Sequence, residues 1–385
     1  MKSNLSVIIP LYNQEKYIKQ CVESVINQKN INVSIIIVND GSTDNSLNIC
    51  EKIAAVNNNV RIITQSNQGL AGARKTGIEV AETKYITFLD ADDFVTSEAY
   101  SEAENFMQRD VDEIFYEISR YYSNERIKRE YHVIDSGFYD KNRIEKEIYP
   151  RLIWDFNRNT PGIECSQCVR VVKKNLLIEA YENLHGKSFY YGEDIAITYP
   201  LMTRIKTLAV VSESYYMHRQ RENNGVPPYI ASKGYFEEIF NLYRYLRISM
   251  NKNVIYDFNK QIDYMYMYSI ELKKWAYGDY KYDRNILFPF NKLPEGRKVI
   301  LYGAGIVGNS YYNQLNKLSY CKSILWVDKN ADNIENPMVR PISELECKEA
   351  HEFENVVIAL ESRVVVEEVK KFLVSKGYDI EKIIF

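Results

Sequence analysis

Three carboxylates stand close together in the stretch FLDADD at residues 88–93, where Asp90, Asp92 and Asp93 directly follow an apolar run. Two carboxylates about 4 Å apart repel each other by roughly 4 kcal/mol at an effective dielectric of about 20. Capping of a following helix would explain one of these side chains but not three. Mg²⁺ and Mn²⁺ prefer oxygen ligands and often combine one or two carboxylates with substrate phosphates. Because D-x-D spacing directs two side chains to the same side of an extended segment, the cluster predicts a cation or nucleotide site.

Other charged residues follow predicted strands or begin predicted helices. Asp40 comes after the apolar run IIIVN, where its carboxylate could accept hydrogen bonds from a base or a ribose. The stretch NQGLAGARKTGI (67–78) combines small residues with Arg74, a cation that can pair with aspartate or with a nucleotide diphosphate. Glu193 and Asp194 begin an apolar helical pattern. The residues alone leave two interpretations of this pair open, a general base or acids favoured by the helix dipole.

These residues need a scaffold that brings them together, and residues 5–95 predict one. Short apolar runs alternate there with helical patterns around residues 18–26, 44–56 and 69–82; the runs cover residues 5–10, 33–38, 60–64 and 84–90. Nearly continuous apolar runs are typical of parallel strands covered on both faces. We therefore predict an α/β fold with a doubly wound sheet, in which ligands bind at the carboxyl ends of the strands. Asp40 and Asp90 both lie at such ends.

Beyond residue 96 the pattern changes twice. It loosens up to about residue 220 and becomes helical and tyrosine-rich over 232–282, while FPFNKLPEG (288–296) is typical of a linker. A strand, KVILYG, then begins a second α/β unit. We predict three parts: a first domain over 1–225, a helical extension with a linker over 226–296, and a small C-terminal domain over 297–385.

Composition excludes several functional classes. A net charge of −3 and a pI near 6.0 give no electrostatic reason to expect a nucleic-acid partner. The first residues turn polar after one short apolar run, and no apolar stretch approaches the ~18 residues that span a bilayer. We therefore expect a cytoplasmic protein with reduced cysteines and at most peripheral contact with the inner face of a membrane. The C-x-x-C of Cys165 and Cys168 lacks a second pair, which disfavours a metal or redox site there.

Four stretches in order carry a resemblance to a known family: SVIIPLYNQEKYIKQCVESVINQ, IIIVNDGSTDNS, NQGLAGARKTGI and KYITFLDADD. The chain resembles family 2 glycosyltransferases with the GT-A fold, densely over residues 5–95 and more sparsely over 96–222. The resemblance implies that Asp40 contacts the nucleobase and that Arg74 lies close to the nucleotide. It implies that Asp90 and Asp92 hold ribose and cation, with Asp92 as the direct ligand. It also places Pro10 and Tyr12 in the nucleotide pocket.

The same resemblance implies a reaction. We expect a metal-dependent, inverting transfer of a sugar from a nucleotide-diphosphate donor, a UDP-sugar, to a hydroxyl of a glycan or lipid-linked glycan acceptor. Mn²⁺ or Mg²⁺ would be the cofactor, and a bacterial surface polysaccharide such as a capsule would be the product. Asp194 would be the general base, and Glu193 would support it or contact the acceptor.

Further positions come from the resemblance with alternatives left open. His218 would be a third cation ligand, although a lone histidine is more often structural. Arg219 or Arg221 would contact the diphosphate. Asp93, as support for the site or on the acceptor side, and Trp154, on the acceptor side, complete the set.

A second glycine motif lies in the C-terminal part, where Gly303, Gly305 and Gly308 form G-x-G-x-x-G between a strand and a helix, with Asp328 twenty residues later. This is the spacing of a dinucleotide fingerprint. Residues 297–385 are about half of a two-lobed dinucleotide domain, and the stretch YYNQLNK (311–317) after the glycine motif does not have the spacing of a catalytic Tyr-x-x-x-Lys. We predict a non-catalytic module that binds a nucleotide, dinucleotide or sugar nucleotide, or that assembles the protein as a homodimer.

Two alternative functions correspond to other features of the sequence. A regulatory protein could use the C-terminal module as its main site for NAD(P) or a sugar nucleotide. A nucleotidyltransferase would need a glycine-rich phosphate loop after the first strand, and PLYNQEKY contains no glycine.

Overall fold

The computed structural model describes residues 4–131, 133–184, 187, 189, 191–220, 230, 232, 234–250, 256–277, 286–347, 350 and 352–385. The chain divides into two compact units. The first comprises Met1–Tyr229 and Glu237–Asn259, and the second comprises Ile230–Phe236 and Lys260–Phe385. Among the described residues, no helix combines the length and apolar content that crossing a membrane requires.

The first unit is built on one large mixed sheet in the order β3-β2-β1-β4-β11-β6-β12-β5, with β7 paired to β6 and β8 paired to β12. A separate hairpin joins β9 and β10. The strands are β1 Leu5–Leu11, β2 Val33–Asp40, β3 Val60–Gln65, β4 Tyr85–Phe88, β5 Phe94–Val95, β6 Glu113–Ser123, β7 Arg126–Glu130, β8 Gly137–Asp140, β9 Trp154–Asp155, β10 Thr160–Pro161, β11 Arg170–Lys173 and β12 Thr207–Arg219.

The helices of the first unit lie between these strands. They are α1 Ile18–Ile26, α2 Ser46–Ala54, α3 Gly69–Val80, α4 Ser101–Gln108, α5 Lys141–Arg143, α6 Lys174–Glu182 and α7 Glu193–Met202. The helical turns Ile144–Ile148, Tyr149–Arg151 and Gln167–Val169 follow α5 and precede β11. Next come α8 Tyr235–Ser249, most of which belongs to this unit, and α9 Asn259–Tyr277, most of which belongs to the second.

The alternation predicted for residues 5–95 is confirmed. β1 pairs in parallel with β2 and β4, and β2 pairs in parallel with β3, so their carboxyl ends share one edge of the sheet. The apolar residues predicted to face the sheet from α1 are buried at Ile18, Cys21, Val22 and Val25. A helix covers a parallel sheet stably when such a stripe faces it. This packing fixes the positions of the acidic residues at the carboxyl ends of β2 and β4.

The second unit contains a parallel sheet in the order β15-β14-β13-β16-β17. Its strands are β13 Lys298–Tyr302, β14 Ser323–Asp328, β15 Val339–Pro341, β16 Asn355–Ile358 and β17 Ile383–Ile384. Its longer helices after α9 are α10 Ile306–Lys317 and α11 Arg363–Ser375, and its short helical turns are Phe290–Lys292, Ala331–Asn333, Ile342–Glu346 and Ile380–Lys382. The prediction of a separate C-terminal α/β sheet is confirmed.

The stretch 288–296 is not the linker that its prolines and glycine predicted. Phe288, Phe290 and Leu293 are buried, and the Phe288 N–H donates to Gln314 Oε1 at 2.9 Å within the second unit. Burial of the apolar side chains between the prolines and the glycine stabilises this packed conformation, because it removes large apolar surfaces from water.

The helical segment predicted over 226–296 is likewise divided. Residues 237–259 belong to the first unit, and residues from 260 onward belong to the second. The predicted boundary at residue 225 lies outside the described residues.

Candidate active site

The carboxyl ends of β1, β2 and β4 surround a cleft of ≈ 470 Å³ in the first unit. Five predicted residues line it together: Pro10, Tyr12, Asp40, Asp90 and Asp92. The remaining walls come from Leu11, Gln14, Asn67, Gly69, Leu70, Ala73 and Ala91. A cleft at this edge of a parallel sheet is the usual ligand site of such folds.

Asp40 is buried at the end of β2, and its carboxylate organises one wall of the cleft. It accepts hydrogen bonds from Gln65 Nε2 at 2.7 Å and from the N–H groups of Gln68 and Gly69, each at 2.9 Å. These two N–H groups lie at the beginning of α3, where backbone donors lack helical partners. Gly69 adopts φ +76°, a left-handed conformation that favours glycine. Asp40 therefore fixes the start of α3 in addition to facing the cleft.

Arg74 lies beneath the cleft rather than in its wall. Its side chain is 1% exposed, and its guanidinium donates from Nη1 to Asp194 Oδ1 at 2.8 Å and from Nη2 to Asp90 Oδ1 at 3.1 Å. Glu193 Oε1 lies 3.7 Å from Nη1. Burial opposes the charge on Arg74, but Asp194 and Asp90 outweigh it and raise the pKa of the guanidinium above its ordinary value. Arg74 thus links three carboxylates, one of which, Asp90, lines the cleft, and its predicted proximity to a nucleotide stays a prediction.

Asp194 and Glu193 stand in the first turn of α7, as the sequence predicted. Asp194 Oδ1 accepts from both Arg74 Nη1 and Gln167 Nε2, the latter at 2.9 Å, whereas no hydrogen bond to Oδ2 is found among the described residues. The Asp194 side chain is 32% exposed. One oxygen is thus held by the protein, and the other is available to take a proton.

Glu193 is more deeply placed. Its side chain is 15% exposed, and within the described part of the chain its Oε1 has no hydrogen-bond partner. Burial raises the pKa of Glu193 to about 7, with Arg74 opposing the rise and Asp194 adding to it. The two neighbouring acids therefore differ: Asp194 is fixed by donors, and Glu193 titrates near neutrality.

The conformation before α7 depends on a glycine. Gly192 has φ +80°, and a Cβ there would lie 2.4 Å from Leu242 Cδ2 in α8. Phe189 and Tyr245 pack nearby in the same unit, with ring centroids 5.3 Å apart. The start of the helix that carries Asp194 is thus packed closely against α8.

Gln167 is a site residue that the sequence did not reveal. It is buried, its amide nitrogen donates to Asp194, and its Oε1 accepts from Tyr181 O–H at 3.1 Å. It stands between Cys165 and Cys168, whose spacing drew attention to the cysteines. Both cysteines are free thiols, and burial raises the pKa of each. The glutamine between them carried no local signal.

Trp154 is buried, which disagrees with its predicted acceptor-side position, whereas the contacts of Asp93 agree with the alternative that it supports the site. Asp93 is 3% exposed and accepts from Tyr216 O–H at 2.6 Å and from the Arg219 N–H at 2.7 Å. Burial, together with the charges of Asp90 and Asp92, raises the pKa of Asp93 to about 8. Trp154 is 1% exposed at the beginning of β9. A buried side chain cannot stack on an acceptor, so Trp154 is a core residue. Asp93 instead supports the aspartate turn, residues 90–93, through its contacts with β12.

Arg219 holds the same turn from β12. Its Nε donates to the Asp92 carbonyl at 2.8 Å and its Nη2 donates to Gln20 Oε1 at 2.8 Å. Its guanidinium also lies over the rings of Tyr17, Phe94 and Tyr121. The predicted contact of Arg219 with a diphosphate stays a prediction. Arg221 lies outside the described residues.

His218 does not join the two aspartates of the cleft. Its Nδ1 contacts Arg120 Nη1, and burial together with that positive charge lowers the pKa of His218. Within the described ranges, no group of three His, Cys, Asp or Glu side chains could hold a metal ion. Asp90 and Asp92 are two carboxylates facing one cleft, a donor set that fits Mg²⁺ or Mn²⁺ when a diphosphate supplies further oxygens.

In the second unit, the glycine motif joins β13 to α10 as predicted. Gly303 and Gly308 are buried and Gly305 is exposed. Asp328 ends β14, and its carboxylate accepts from the N–H groups of Ala304 and Asn330.

Comparisons with known proteins agree with this geometry. Residues 6–181 match the model of glycosyl transferase family 2. Glycosyltransferase GlyG of Streptococcus pneumoniae is 29% identical over 228 residues, which are 58% of this chain and 73% of GlyG. The minor teichoic acid biosynthesis protein GgaB of Bacillus subtilis is 28% identical over 277 residues, which are 70% of this chain but 29% of GgaB.

A solved structure shares the fold. S. aureus TarS 1-349, crystallised in complex with UDP-GlcNAc, has a TM-score of 0.52 at 19% identity, with 75% of this chain and 78% of TarS 1-349 covered. These findings confirm the predicted resemblance and the GT-A-like fold of the first unit.

Proposed function

We propose that this protein, whose residues 6–181 match the model of glycosyl transferase family 2, transfers a sugar from a nucleotide-diphosphate donor to a hydroxyl group. A UDP-sugar is the proposed donor, because TarS 1-349 was crystallised with UDP-GlcNAc. A glycan or lipid-linked glycan of a bacterial surface polymer is the proposed acceptor, because GgaB is named for teichoic acid biosynthesis.

One observation carries the proposal: a single buried guanidinium joins the candidate base to the cleft. Arg74 bonds Asp194 at 2.8 Å and Asp90 at 3.1 Å, and Asp90 lines the cleft. A carboxylate suited to take a proton thus stands beside a site suited to a nucleotide. This is the arrangement that a direct displacement at a sugar carbon requires, since the donor and the base must act on one acceptor.

The proposed chemistry is a single displacement with inversion. The acceptor oxygen forms a bond to the anomeric carbon while the bond from that carbon to the diphosphate oxygen breaks, and the nucleoside diphosphate leaves with the electron pair. Asp194 Oδ2 takes the acceptor proton, because Oδ1 is engaged by Arg74 and Gln167. Arg74 orients Asp194 through its hydrogen bond to Oδ1. Glu193 supports Asp194 from the same turn.

Asp90 and Asp92 would hold a divalent cation together with the donor phosphates. When bound, such an ion neutralises charge that develops on the leaving diphosphate. Asp40, Pro10 and Tyr12 would hold the nucleoside end of the donor in the cleft they line.

The proposal is tested on the full chain with UDP-GlcNAc, UDP-glucose, UDP-galactose and GDP-mannose, each with and without Mn²⁺. A bound donor at 100 times its Kd stabilises the protein by about 2.7 kcal/mol, which thermal unfolding detects. Release of UDP in the absence of acceptor then reports slow transfer to water. We expect a UDP-sugar to stabilise the protein in the presence of Mn²⁺ and to be cleaved.

Asp40→Asn tests the site proposed to bind the donor, and Asp194→Asn tests the proposed general base. Stabilisation should weaken in the first variant and persist in the second, whereas cleavage should be lost in both. If none of these nucleotide sugars stabilised the wild-type protein, the proposed donor class would be wrong.

A further inference from the structure

The second unit contains a cavity of ≈ 500 Å³ that the transfer reaction does not use. It lies at the carboxyl ends of parallel strands, where Tyr302 ends β13 and Asp328 ends β14, and Leu360 follows β16. β13 pairs in parallel with β14 on one side and with β16 on the other. The chain therefore adds its next strands on opposite sides of β13. Such a switch point is where parallel α/β sheets open a crevice for ligands.

The three glycines next to this cavity are not equivalent. Gly303 has φ +108°, and a Cβ at Gly308 would lie 1.9 Å from the Gly303 carbonyl oxygen, so the fold itself requires both. Gly305 has an ordinary φ of −75°, and a Cβ there would meet nothing within 4 Å. The local fold therefore gives no reason for glycine at residue 305. An exposed backbone without a side chain is what close approach of a phosphate group needs.

Asp328 connects the glycine loop to the cavity. Its Oδ2 accepts from the Ala304 N–H at 2.7 Å and its Oδ1 accepts from the Asn330 N–H at 2.7 Å, while the side chain also lines the cavity. Each carboxylate oxygen has two lone pairs, so both can accept a further hydrogen bond. The two backbone N–H groups therefore orient the Asp328 carboxylate, and each of its oxygens can still accept a hydrogen bond from a ligand.

The walls of the cavity indicate the chemistry of its occupant. Tyr302, Ile342, Leu360 and Phe372 provide flat and branched apolar surface, which suits a planar base. The acids Asp328 and Glu368 stand against a single lysine, Lys329, among the lining residues. The cavity interior therefore favours hydroxyl and amino donors and disfavours phosphate, which would lie outside at Gly305.

We infer that the second unit binds a nucleotide with a free 2′-hydroxyl on its ribose, the base in this cavity, the ribose at Asp328 and the phosphate at Gly305. A 2′-phosphate would be repelled by Asp328, which the unit holds in place. Two sources share this chemistry: an adenine nucleotide such as ADP or NAD⁺, and a uridine nucleotide of the kind proposed as donor for the first unit.

The test is calorimetric titration of the full chain with ADP, NAD⁺, NADP⁺ and UDP. Gly305→Val fills the space for phosphate from a Cβ that would meet no protein atom within 4 Å, and Gly234→Val is the matched control because its Cβ would meet nothing closer than 3.8 Å. We expect ADP and NAD⁺ to bind once per chain, NADP⁺ at least 10-fold more weakly, and Gly305→Val to weaken binding at least 10-fold. Gly234→Val should bind as the wild type does.

The titrations distinguish the two sources. If UDP binds twice per wild-type chain and once per Gly305→Val chain, the occupant is a uridine nucleotide. If no nucleotide binds more weakly to Gly305→Val than to Gly234→Val, the inference is wrong. Turnover of a UDP-sugar should be equal in the two variants, so failure of this site leaves the proposed transfer untouched.

Discussion

Both units place an acidic residue at the end of a parallel strand, but they surround it differently. In the first unit Asp90 shares a buried arginine with Asp194, whereas in the second unit Asp328 is held by two backbone N–H groups. Backbone donors orient a carboxylate without a charge of their own. A guanidinium also couples the ionisation of every carboxylate that it touches.

The groups around each carboxylate determine what each site can do. A carboxylate that must accept a proton during a reaction needs one oxygen held in place and the other free to react, and Arg74 and Gln167 provide this for Asp194 by holding Oδ1. A carboxylate that only orients a ligand needs a fixed direction, and Asp328 has one. The first site is thus suited to chemistry and the second to binding. Four experiments test this contrast.

The largest effect is expected from removing the charge of the candidate base. Asp194→Asn keeps the size of the side chain but cannot take the acceptor proton, so the rate of transfer should fall by about 10²- to 10⁴-fold. Donor affinity should change little, because Asp194 is not in the cleft wall. The measurement is kcat with saturating donor, and Asp135→Asn, an exposed acid of the same unit, is the control. Undiminished turnover in Asp194→Asn would place the base elsewhere.

Removing the shared arginine should damage both stability and rate. Arg74→Met leaves Asp90, Asp194 and Glu193 without their cation, which we expect to cost about 2–4 kcal/mol, since the acids are partly hydrated. Urea unfolding measures this loss. Lys75→Met removes the same charge from an exposed neighbour and should have an effect within about 0.5 kcal/mol. Arg74→Lys should recover part of the stability and little of the rate, because lysine cannot bridge two carboxylates in one plane. Equal effects of Arg74→Met and Lys75→Met would refute the role of the network.

In the second unit, substitutions at two glycines should show which of them the fold requires. Gly308→Ala forces a Cβ against the Gly303 carbonyl, and we expect about 1–3 kcal/mol of destabilisation. Gly305→Ala meets no atom and should stay within about 0.5 kcal/mol of the wild type. Calorimetric unfolding of the full chain measures both. A large loss in Gly305→Ala would mean that the fold requires this glycine after all.

The smallest effect concerns the pH dependence of stability. The pKa of Asp93 is raised from 3.8 to about 8, so between these values the folded protein keeps a proton that the unfolded chain has lost. Stability should therefore fall as pH rises through this window. Asp93→Asn removes this contribution and should gain a few degrees in Tm relative to the wild type between pH 5 and pH 8. Glu193, raised to about 7, contributes with the same sign and leaves a residual slope. Parallel Tm profiles of the two proteins would contradict the burial argument.

The sequence predicted those parts of the molecule that depend on neighbouring residues. Apolar runs and helical stripes repeat over a few positions, which is why the strands and helices of residues 5–95 and their acidic ends were predicted correctly. The glycine motif between β13 and α10 was found for the same reason. Prolines and a glycine misled the interpretation of 288–296, because local turn signals do not reveal burial of Phe288 and Phe290.

Contacts between distant residues could not be predicted in this way. Arg74 and Asp194 are 120 positions apart, and Gln167 has no pattern around it that marks an amide as the partner of a base. The resemblance predicted that Arg74 lies near the nucleotide but did not reveal its link among the carboxylates. The same applies to Asp93 and Arg219, whose roles follow from the approach of β12 to the aspartate turn.

The packing of Leu242 against Gly192 has a consequence for anyone who wishes to separate the two halves of this protein. Leu242 is contributed by α8, downstream of residue 225, yet it covers the turn from which the helix bearing Asp194 starts. A chain truncated at residue 225 would keep every carboxylate of the cleft and lose this cover. Because 237–259 belongs to the first unit, the shortest fragment that retains a supported base extends through residue 259.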